Sequence, residues 1–302
     1  MRLLLLTCLS LFGVFSVCAQ TGDISQVLAT KASYDANTND DTRAALLDAL
    51  SAYNGPPTVE TVQAHWAVMI NDSIDADYEN MRESALAVEA HITPVSEILP
   101  QQYIEAKYVA AVALFNDKQD TDAMLEMAHV EGFSKGFYDE LGEQPDWAES
   151  LKWKSEAWGL AMDAYFVSAG ERHPSENRIE EIILSYGYDR QRINDGAMEK
   201  PGATTGLPHC AGKLIQRPKL RYPAGGVRKG LFGAVILQFD FDPDGNVTDP
   251  EVMASVPFEE FEERSLETVG KWKYKADQSR DVGTSCTLER SNVVLPLVFQ
   301  LD

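Results

Sequence analysis

The stretch that decides the fold is Gly233-Ala-Val-Ile-Leu-Gln-Phe-Asp-Phe-Asp242, which runs directly into the turn sequence Pro243-Asp-Gly-Asn246. Apolar side chains occupy every second position of the first stretch, and they are Val235, Leu237, Phe239 and Phe241. The intervening positions are half polar, so the pattern predicts a strand in a sheet that is covered on one side. Residues that tolerate positive φ fill the turn, which predicts a hairpin leading into a second strand over residues 247–254.

Downstream of the hairpin the spacing changes from two to three and four, which predicts an amphipathic helix over residues 258–272. The stripe that would face the sheet consists of Phe258, Phe261, Ser265, Val269 and Trp272. Glutamates crowd the first turn and lysines follow the end, which complements the helix dipole. Alternation returns over residues 292–301, where one side carries Val293, Leu295, Leu297, Phe299 and Leu301. The sequence therefore predicts a two-layer α+β unit of order ββαβ.

The order and spacing of these elements resemble the C-terminal domain of TonB-family energy transducers, a periplasmic module that contacts other envelope proteins. The resemblance covers about residues 213–301, roughly a third of the chain. The residues that carry it are Pro218, Tyr222, Pro223, Gly233, Asp244, Gly245, Phe261, Trp272 and Tyr274. It implies a ββαβ fold and envelope partners such as an outer-membrane receptor or motor proteins.

The resemblance also implies where a partner would bind, because the last strand of the family offers its edge to a receptor's peptide. Such an edge accepts an added strand through its backbone groups. The residues expected at this protein-binding site are Val293, Leu295, Leu297, Phe299, Tyr222, Arg217 and Arg221. A basic cluster upstream of the first strand is a candidate docking patch, and it consists of Lys213, Arg217, Lys219, Arg221, Arg228 and Lys229.

Three features depart from the family pattern. Lys275-Ala276 stands where family members often have proline, and Pro296 lies inside the last strand, where it lacks an N–H and suits only an edge or a bulge. A transducer also keeps an N-terminal membrane anchor and a long proline-rich spacer. This chain has a cleavable-looking signal and an acidic helical region in their place, which argues against energy transduction.

The N-terminal residues 1–19 have the pattern of a signal peptide. Arg2 supplies a positive charge, an apolar run follows, and Val17-Cys-Ala19 fits the small-residue rule of a cleavage site. We therefore expect a mature chain that begins at Gln20 and resides in the periplasm. A lipoprotein and an uncleaved inner-membrane anchor facing the periplasm are the alternatives, although the apolar run is shorter than the roughly 20 residues that span a bilayer.

Cysteine usage agrees with export. Cys8 and Cys18 would leave with the signal peptide, so that only Cys210 and Cys286 remain. An even pair in an oxidising compartment predicts one disulfide bond, and two free buried thiols are the alternative.

Charge is unevenly distributed. The chain has 26 Lys and Arg against 47 Asp and Glu. Residues 201–302 hold 12 basic and 14 acidic residues, which leaves 14 basic and 33 acidic residues for residues 1–200. The first part therefore carries a charge of −19 and would be repelled by nucleic acid and by anionic lipid.

Residues 20–192 are predicted to form an all-α domain, either a helical bundle or a solenoid-like array of paired helices. Apolar residues recur there at three- and four-residue spacing from Ile24 onward, with breaks at Gly- and Pro-containing segments. Residues 193–212 are rich in Gly, Pro and small polar residues, which predicts a linker. The predicted C-terminal domain then occupies residues 213–302.

Two more specific functions, calcium binding and catalysis, have weaker support in the sequence. Asp240, Asp242, Asp244, Gly245 and Glu251 match the calcium-loop pattern of an EF-hand, but strand-like residues flank them where that motif needs helices. For catalysis the sequence shows no nucleophile elbow, phosphate loop or dinucleotide fingerprint, and the five histidines lack metal-ligand spacing. We therefore expect no enzyme, no cofactor and no metal.

The sequence thus predicts a periplasmic interaction protein that binds envelope proteins by pairing at a sheet edge. One alternative is an anchored, atypical transducer component for receptor-dependent transport. A calcium-binding structural protein is another alternative.

Overall fold

A computed structural model describes residues 23–75, 77–92, 99–118, 120–141, 145–169, 176–186, 206–210, 212–224, 232–257, 261–277, 283 and 285–300. The predicted signal peptide and most of the predicted linker lie outside the described residues. So do residues 258–260 of the predicted helix, Leu301 of the predicted last strand, and Arg228 and Lys229 of the basic cluster.

The first part of the described chain is entirely helical, as predicted. Its helices are α1 Ile24–Ala36, α2 Asp40–Ala52, α3 Val59–Ile74, α4 Tyr78–Ile92, α5 Pro100–Asn116, α6 Asp120–Leu141, α7 Asp146–Ala169 and α8 Glu176–Ser185. Side-chain hydrogen bonds explain where two of these helices begin. Asn39 with Thr42, and Thr58 with Thr61, form capping boxes at α2 and α3. Within the described residues, no helix is both long and apolar enough to cross a membrane.

The helices stack in a regular pattern. Each of the helices α3, α4, α5 and α6 packs against the one that follows it, and the odd-numbered helices α1, α3, α5 and α7 also contact one another in sequence. Helices α3 to α7 share one core that includes Met69, Ile104, Met127 and Met162, and α1 and α2 pack with α3 around a second cluster. This arrangement is the solenoid-like alternative of the sequence prediction, in which each pair covers its neighbour's apolar face.

The C-terminal part is an α+β domain, as predicted, with two short strands that the sequence analysis missed. Its elements are β1 Lys213–Gln216, β2 Gly233–Phe241, β3 Val247–Val256, α9 Glu262–Val269, β4 Lys273–Lys275 and β5 Arg290–Phe299. The main sheet is antiparallel in the order β3-β2-β5, and β1 pairs with β4 in a separate ribbon.

One face of the sheet is covered by α9 and by the residues that flank it. Phe261 is fully buried and stacks on Phe299 of β5 with ring centroids 4.3 Å apart. Trp272 lies edge-on to Phe239 at 6.5 Å. The helix is shorter than predicted, because the chain turns at Gly270 and then forms β4, where the backbone N–H of Tyr274 donates to the carbonyl of Gly245 at 2.7 Å.

The opposite face corrects the prediction of a sheet covered on one side. Helix α7 packs across β3, β2 and β5, and Ala234 and Ile236 of β2 are completely buried in the core of the helical array. Next to them, Tyr165 of α7 lies edge-on to Phe232 at 5.2 Å. Gln238 remains half-exposed, because α7 does not cover the polar half of this face. The sheet therefore closes the end of the helical array.

Gly233 opens β2 at a point where a side chain has no room. A Cβ atom there would lie 2.4 Å from the ring of Phe261 and 2.5 Å from the carbonyl oxygen of Val256. We expect Gly233→Ala to lower the free energy of unfolding by about 2 kcal/mol, in the range typical of overpacked cores. Urea denaturation measures the change.

The matched control for that variant is Gly159→Ala in α7, where a Cβ atom would meet nothing within 4 Å. Alanine is the better helix former by about 0.5–1 kcal/mol. We expect the control variant to be as stable as the parent or more stable. Equal stability of both variants would contradict the close approach of Phe261 and Val256 to Gly233.

Candidate functional site

The candidate site is the outer edge of β5. This strand pairs with β2 in unbroken antiparallel register from Gly233–Phe299 to Phe239–Val293. Because the strand order is β3-β2-β5, the second side of β5 has no partner strand among the described residues. A regular free edge of this length presents backbone N–H and C=O groups that an extended peptide can bind.

The side chains of β5 are divided between its two faces. Leu297 and Phe299 are buried against α9, and Val293 and Leu295 are half-buried on the same face. On the opposite face Val294 and Val298 are each 38% exposed. Four of the seven residues that we expected at the binding site thus hold β5 in the sheet with their side chains. Their backbone groups face β2 if those of Pro296 face outward, so these four residues position the edge, and the outward backbone groups belong to the residues between them.

Pro296 indicates which backbone groups face outward. It lies opposite Ile236, and the pairing with β2 continues on both sides of it. Proline has no N–H to donate, so an unbroken ladder requires that its nitrogen points to the free edge. Backbone direction alternates along a strand, and the N–H groups of Val294 and Val298 therefore point the same way. The free edge keeps these two donors and lacks the one between them.

The other edge of the sheet is less regular. The register of β3 against β2 shifts twice, and Asp249 adopts a φ of 48° just before Pro250. Such irregularities interrupt the row of outward backbone groups and are a known protection of edge strands. Of the two edges, β5 is the one suited to strand addition.

Residues 217–223 lie across the α9 face of the sheet. The ring of Tyr222 contacts those of Phe261 and Phe299, both at 5.7 Å, and Pro223 is buried beside it. The Tyr222 hydroxyl is buried without a hydrogen-bond partner among the described residues, and burial raises its pKa. The guanidinium of Arg217 lies 5.3 Å from the ring centre of Trp272. These contacts explain why the Tyr-Pro pair and the tryptophan occur together in the motif.

The remaining motif residues build the hairpin end of the domain. Asp244 lies in the turn, and Gly245 adopts a φ of 77° with no room for a Cβ atom, which would be 2.2 Å from the carbonyl oxygen of Tyr274. The hydroxyl of Tyr274 donates to the carbonyl of Gly212 at 2.8 Å. Pro218 is half-buried. The motif therefore specifies turns and packing.

The predicted disulfide bond between Cys210 and Cys286 is present. Around it the backbone N–H of Cys210 donates to Thr287 at 2.8 Å, and Arg290 donates to the carbonyl of Cys210 at 3.1 Å. Arg290 also donates to the hydroxyl of Tyr274 at 3.1 Å and is the first residue of β5. Sequence reasoning did not identify Arg290, since its partners come from distant segments. Together these bonds fix the start of the edge strand.

The calcium-loop pattern lies in the β2–β3 hairpin and lacks the flanking helices of an EF-hand. Asp242 accepts from the backbone N–H of Asn246 at 2.8 Å and from its side-chain amide at 2.9 Å, bonds that lower the Asp242 pKa. Asp240 accepts from the backbone N–H of Asn292 at 2.7 Å. Within the described part of the chain, no group of three acidic, histidine or cysteine side chains is placed to hold a metal ion. Asp242 therefore caps the turn between β2 and β3, and Asp240 links β2 to the start of β5.

Two of the histidines that look scattered in the sequence come together in the helical array. The rings of His65 in α3 and His91 in α4 lie 4.4 Å apart. Burial, with a smaller contribution from His91, lowers the pKa of His65 to about 4. Among the described residues no third histidine, cysteine or acidic side chain joins the pair to form a metal site, and the two rings belong to the packing between α3 and α4.

Together these elements form a small α+β domain whose antiparallel sheet has a free edge at β5. Residues 218–291 match the family described as Gram-negative bacterial TonB protein C-terminal. The Protein TonB of Yersinia enterocolitica is 29% identical over 85 residues, which are 28% of this chain and 32% of that relative. The match thus spans about a third of the length of the curated relative.

Among solved structures, the solution NMR structure of Pseudomonas aeruginosa TonB CTD has 22% sequence identity to this chain and a TM-score of 0.26, covering 30% of this chain and 87% of that chain. The family match and the curated relative assign the C-terminal part of this protein to the TonB C-terminal domain family, as the resemblance predicted. The assignment applies to that part of the chain.

Proposed function

We propose that this protein is a periplasmic interaction protein whose TonB-like domain binds envelope proteins by adding a partner strand to the free edge of β5. The observation that carries the proposal is the unbroken register of β5 with β2, which leaves a second row of backbone groups facing outward. Main-chain hydrogen bonds give affinity in this binding mode, and pockets for alternate side chains give specificity. The partner classes that we propose are outer-membrane receptors and envelope motor proteins.

The disulfide bond supports the proposed location. Disulfides form and persist in oxidising compartments such as the periplasm, and Cys210 and Cys286 are joined here. An exported protein with this bond is consistent with the predicted signal peptide of residues 1–19. We therefore place the TonB-like domain and the helical array together on the outer side of the cytoplasmic membrane.

The helical array has a supporting function in this proposal. Because α7 covers Ala234 and Ile236 on the face opposite α9, the sheet is fixed between two layers. A strand that is held on both faces is pre-organised for pairing, and less conformational entropy is lost when a partner binds. The array also carries most of the negative charge, which keeps this large surface soluble.

The proposal predicts that a single proline at the outer edge weakens binding. Val294→Pro removes an outward N–H donor without removing a bond to β2, so that two of the three outward positions between 294 and 298 would lack a donor. We expect pull-down of envelope proteins by purified Val294→Pro to fall about fivefold, since one backbone hydrogen bond of about 1 kcal/mol is lost. Quantitative mass spectrometry of the captured proteins measures this loss.

The matched control is Val294→Ala, which loses the same side chain and keeps the N–H group. We expect this variant to capture the same proteins as the parent chain. Circular dichroism and thermal unfolding of both variants show whether the domain remains folded. Equal capture by the proline and alanine variants would refute pairing at the β5 edge.

A second candidate is an anchored, atypical component of TonB-dependent transport, and the family match of residues 218–291 favours it. In that case the N-terminal apolar run would stay in the cytoplasmic membrane. Edman sequencing of protein isolated from fractionated cells separates the two candidates. A start at Gln20 supports the released periplasmic protein, and a start at Met1 in the membrane fraction supports the anchored form.

A further inference from the structure

Glu105 of α5 lies in the helical array, where α3 and α7 are the neighbours of α5 in the row of odd-numbered helices. Its Oε2 atom accepts a hydrogen bond from the indole N–H of Trp66 in α3. Its Oε1 atom accepts one from the side-chain amide of Gln101, one turn earlier in α5, at 3.0 Å. All three side chains are half-buried. The carboxylate is therefore held in one orientation and still reaches solvent.

Glu105 differs from other carboxylates of the array in having no cation beside it. A lysine or arginine nitrogen lies within 3.7 Å of five other buried or half-buried carboxylates, namely Asp72, Glu89, Glu126, Glu131 and Glu156. Among the described residues, both hydrogen-bond donors to Glu105 are neutral, and no lysine, arginine or histidine forms an ion pair with it. Desolvation raises the pKa of Glu105, so its ionised form is held at a cost that a bound cation would offset.

The two hydrogen bonds leave acceptor capacity on both oxygens of Glu105. A carboxylate offers about four lone-pair sites, two on each oxygen, and each oxygen uses one of them here. One site per oxygen remains, which is the arrangement that the two parallel N–H groups of a guanidinium require. The indole of Trp66 adds a half-buried aromatic surface beside the carboxylate, and guanidinium groups pack favourably against such rings. These features favour arginine over lysine as the ligand.

We infer that Trp66, Gln101 and Glu105 form a binding site for an arginine side chain presented by a partner protein, and we call these three residues the arginine site. The charge of the array is complementary to such a partner, since residues 1–200 hold 33 acidic and 14 basic residues. The arginine site lies on the helical array and does not depend on the free edge of β5. It gives this protein a second contact surface of different chemistry.

Lys154 of α7 provides a control of opposite sign. It is exposed, and its charge reaches Glu105. Desolvation has the largest effect on the pKa of Glu105, and the attraction of Lys154 has the smallest. An arginine bound at Glu105 would be repelled by this neighbouring charge. Lys154→Gln should therefore strengthen arginine binding, whereas Glu105→Gln should weaken it.

The test is a titration of the purified protein with N-acetyl-arginine methylamide, and the neutral isostere N-acetyl-citrulline methylamide is the control ligand. The indole N–H signal of Trp66 in heteronuclear NMR spectra reports binding, and loss of this signal in Trp66→Phe assigns it. We expect a Kd on the order of 1 mM for the arginine compound, which NMR titration measures well. The citrulline compound should bind about tenfold more weakly, because a charge-assisted pair becomes a neutral one.

Three variants locate the preference for arginine over citrulline. Glu105→Gln should remove it, Lys154→Gln should increase it, and Glu83→Gln, which changes an exposed residue of α4, should leave it unchanged. Thermal unfolding shows whether each variant is folded, and Lys154→Gln keeps the test decisive if Glu105→Gln is not.

Equal binding of the two ligands to the parent chain, or a preference that survives Glu105→Gln, would overturn the inference. So would a preference that Lys154→Gln reduces. Val294→Pro should bind the arginine compound as the parent chain does, so the arginine site and the edge of β5 are tested separately.

Discussion

Replacing Cys210 and Cys286 together with serine is expected to lower the free energy of unfolding by about 4 kcal/mol. The bond joins residues separated by 76 positions, so it removes a large loop-closure entropy from the unfolded chain. The loop that it closes contains β1 to β4 and the helix α9. Urea denaturation of the oxidised protein and of the double variant, followed by circular dichroism, measures the difference.

Reduction provides the matched control. The parent chain in excess dithiothreitol should unfold at the same urea concentration as the double variant, and the double variant should not respond to the reductant. Because Arg290 donates to the carbonyl of Cys210, loss of the bond should also raise hydrogen exchange at the start of β5. A change below about 1 kcal/mol would contradict the entropic account of this cross-link.

The second large effect is a pH dependence that originates at His65. Its side chain is only 9% exposed, and desolvation first, then His91, lowers its pKa from 6.5 to about 4. Below pH 6.5 the unfolded chain binds a proton that the folded chain does not bind, so stability falls as the pH drops toward 4. A shift of this size corresponds to about 3 kcal/mol of stability lost across that window.

The His65→Gln variant isolates this contribution from other groups that titrate in the same range. The half-buried Glu89 and Glu105 have pKa values that desolvation raises, which acts in the opposite direction as the pH falls. We therefore compare the change in stability between pH 7.5 and pH 4.5 in the parent and in the variant. The variant should lose about 2–3 kcal/mol less than the parent. Identical pH profiles would show that His65 is solvated and titrates normally.

Much of the C-terminal domain was predictable because its signals are local. The alternation that begins at Gly233, the Asp244-Gly245 turn and the alternation up to Phe299 each depend on neighbours in sequence, and each element is present. The disulfide bond was predictable because two cysteines remain in a chain that is expected in an oxidising compartment. The helices of the N-terminal part were predictable in the same way, from the spacing of apolar residues that begins at Ile24.

The remainder depends on contacts between distant segments. Ala234 and Ile236 give no indication in the sequence that α7 will cover them, since an apolar position on the second face of a strand has the same pattern whether it is exposed or buried. The strands β1 and β4 are only 4 and 3 residues long, too short for a periodic signal. The edge itself was predicted only through the family resemblance, and the backbone groups that it leaves outward could be assigned only from the register.

The most direct test of the central claim is site-specific photo-crosslinking in intact cell envelopes. A benzophenone amino acid replaces Val298, which is 38% exposed on β5, or Leu86, which is 50% exposed on α4 and serves as the control. We predict one dominant crosslinked envelope protein at position 298, absent at position 86 and lost when Val294→Pro is added. A crosslinked partner at position 86 alone, or one at position 298 that survives Val294→Pro, would contradict strand pairing at the edge of β5.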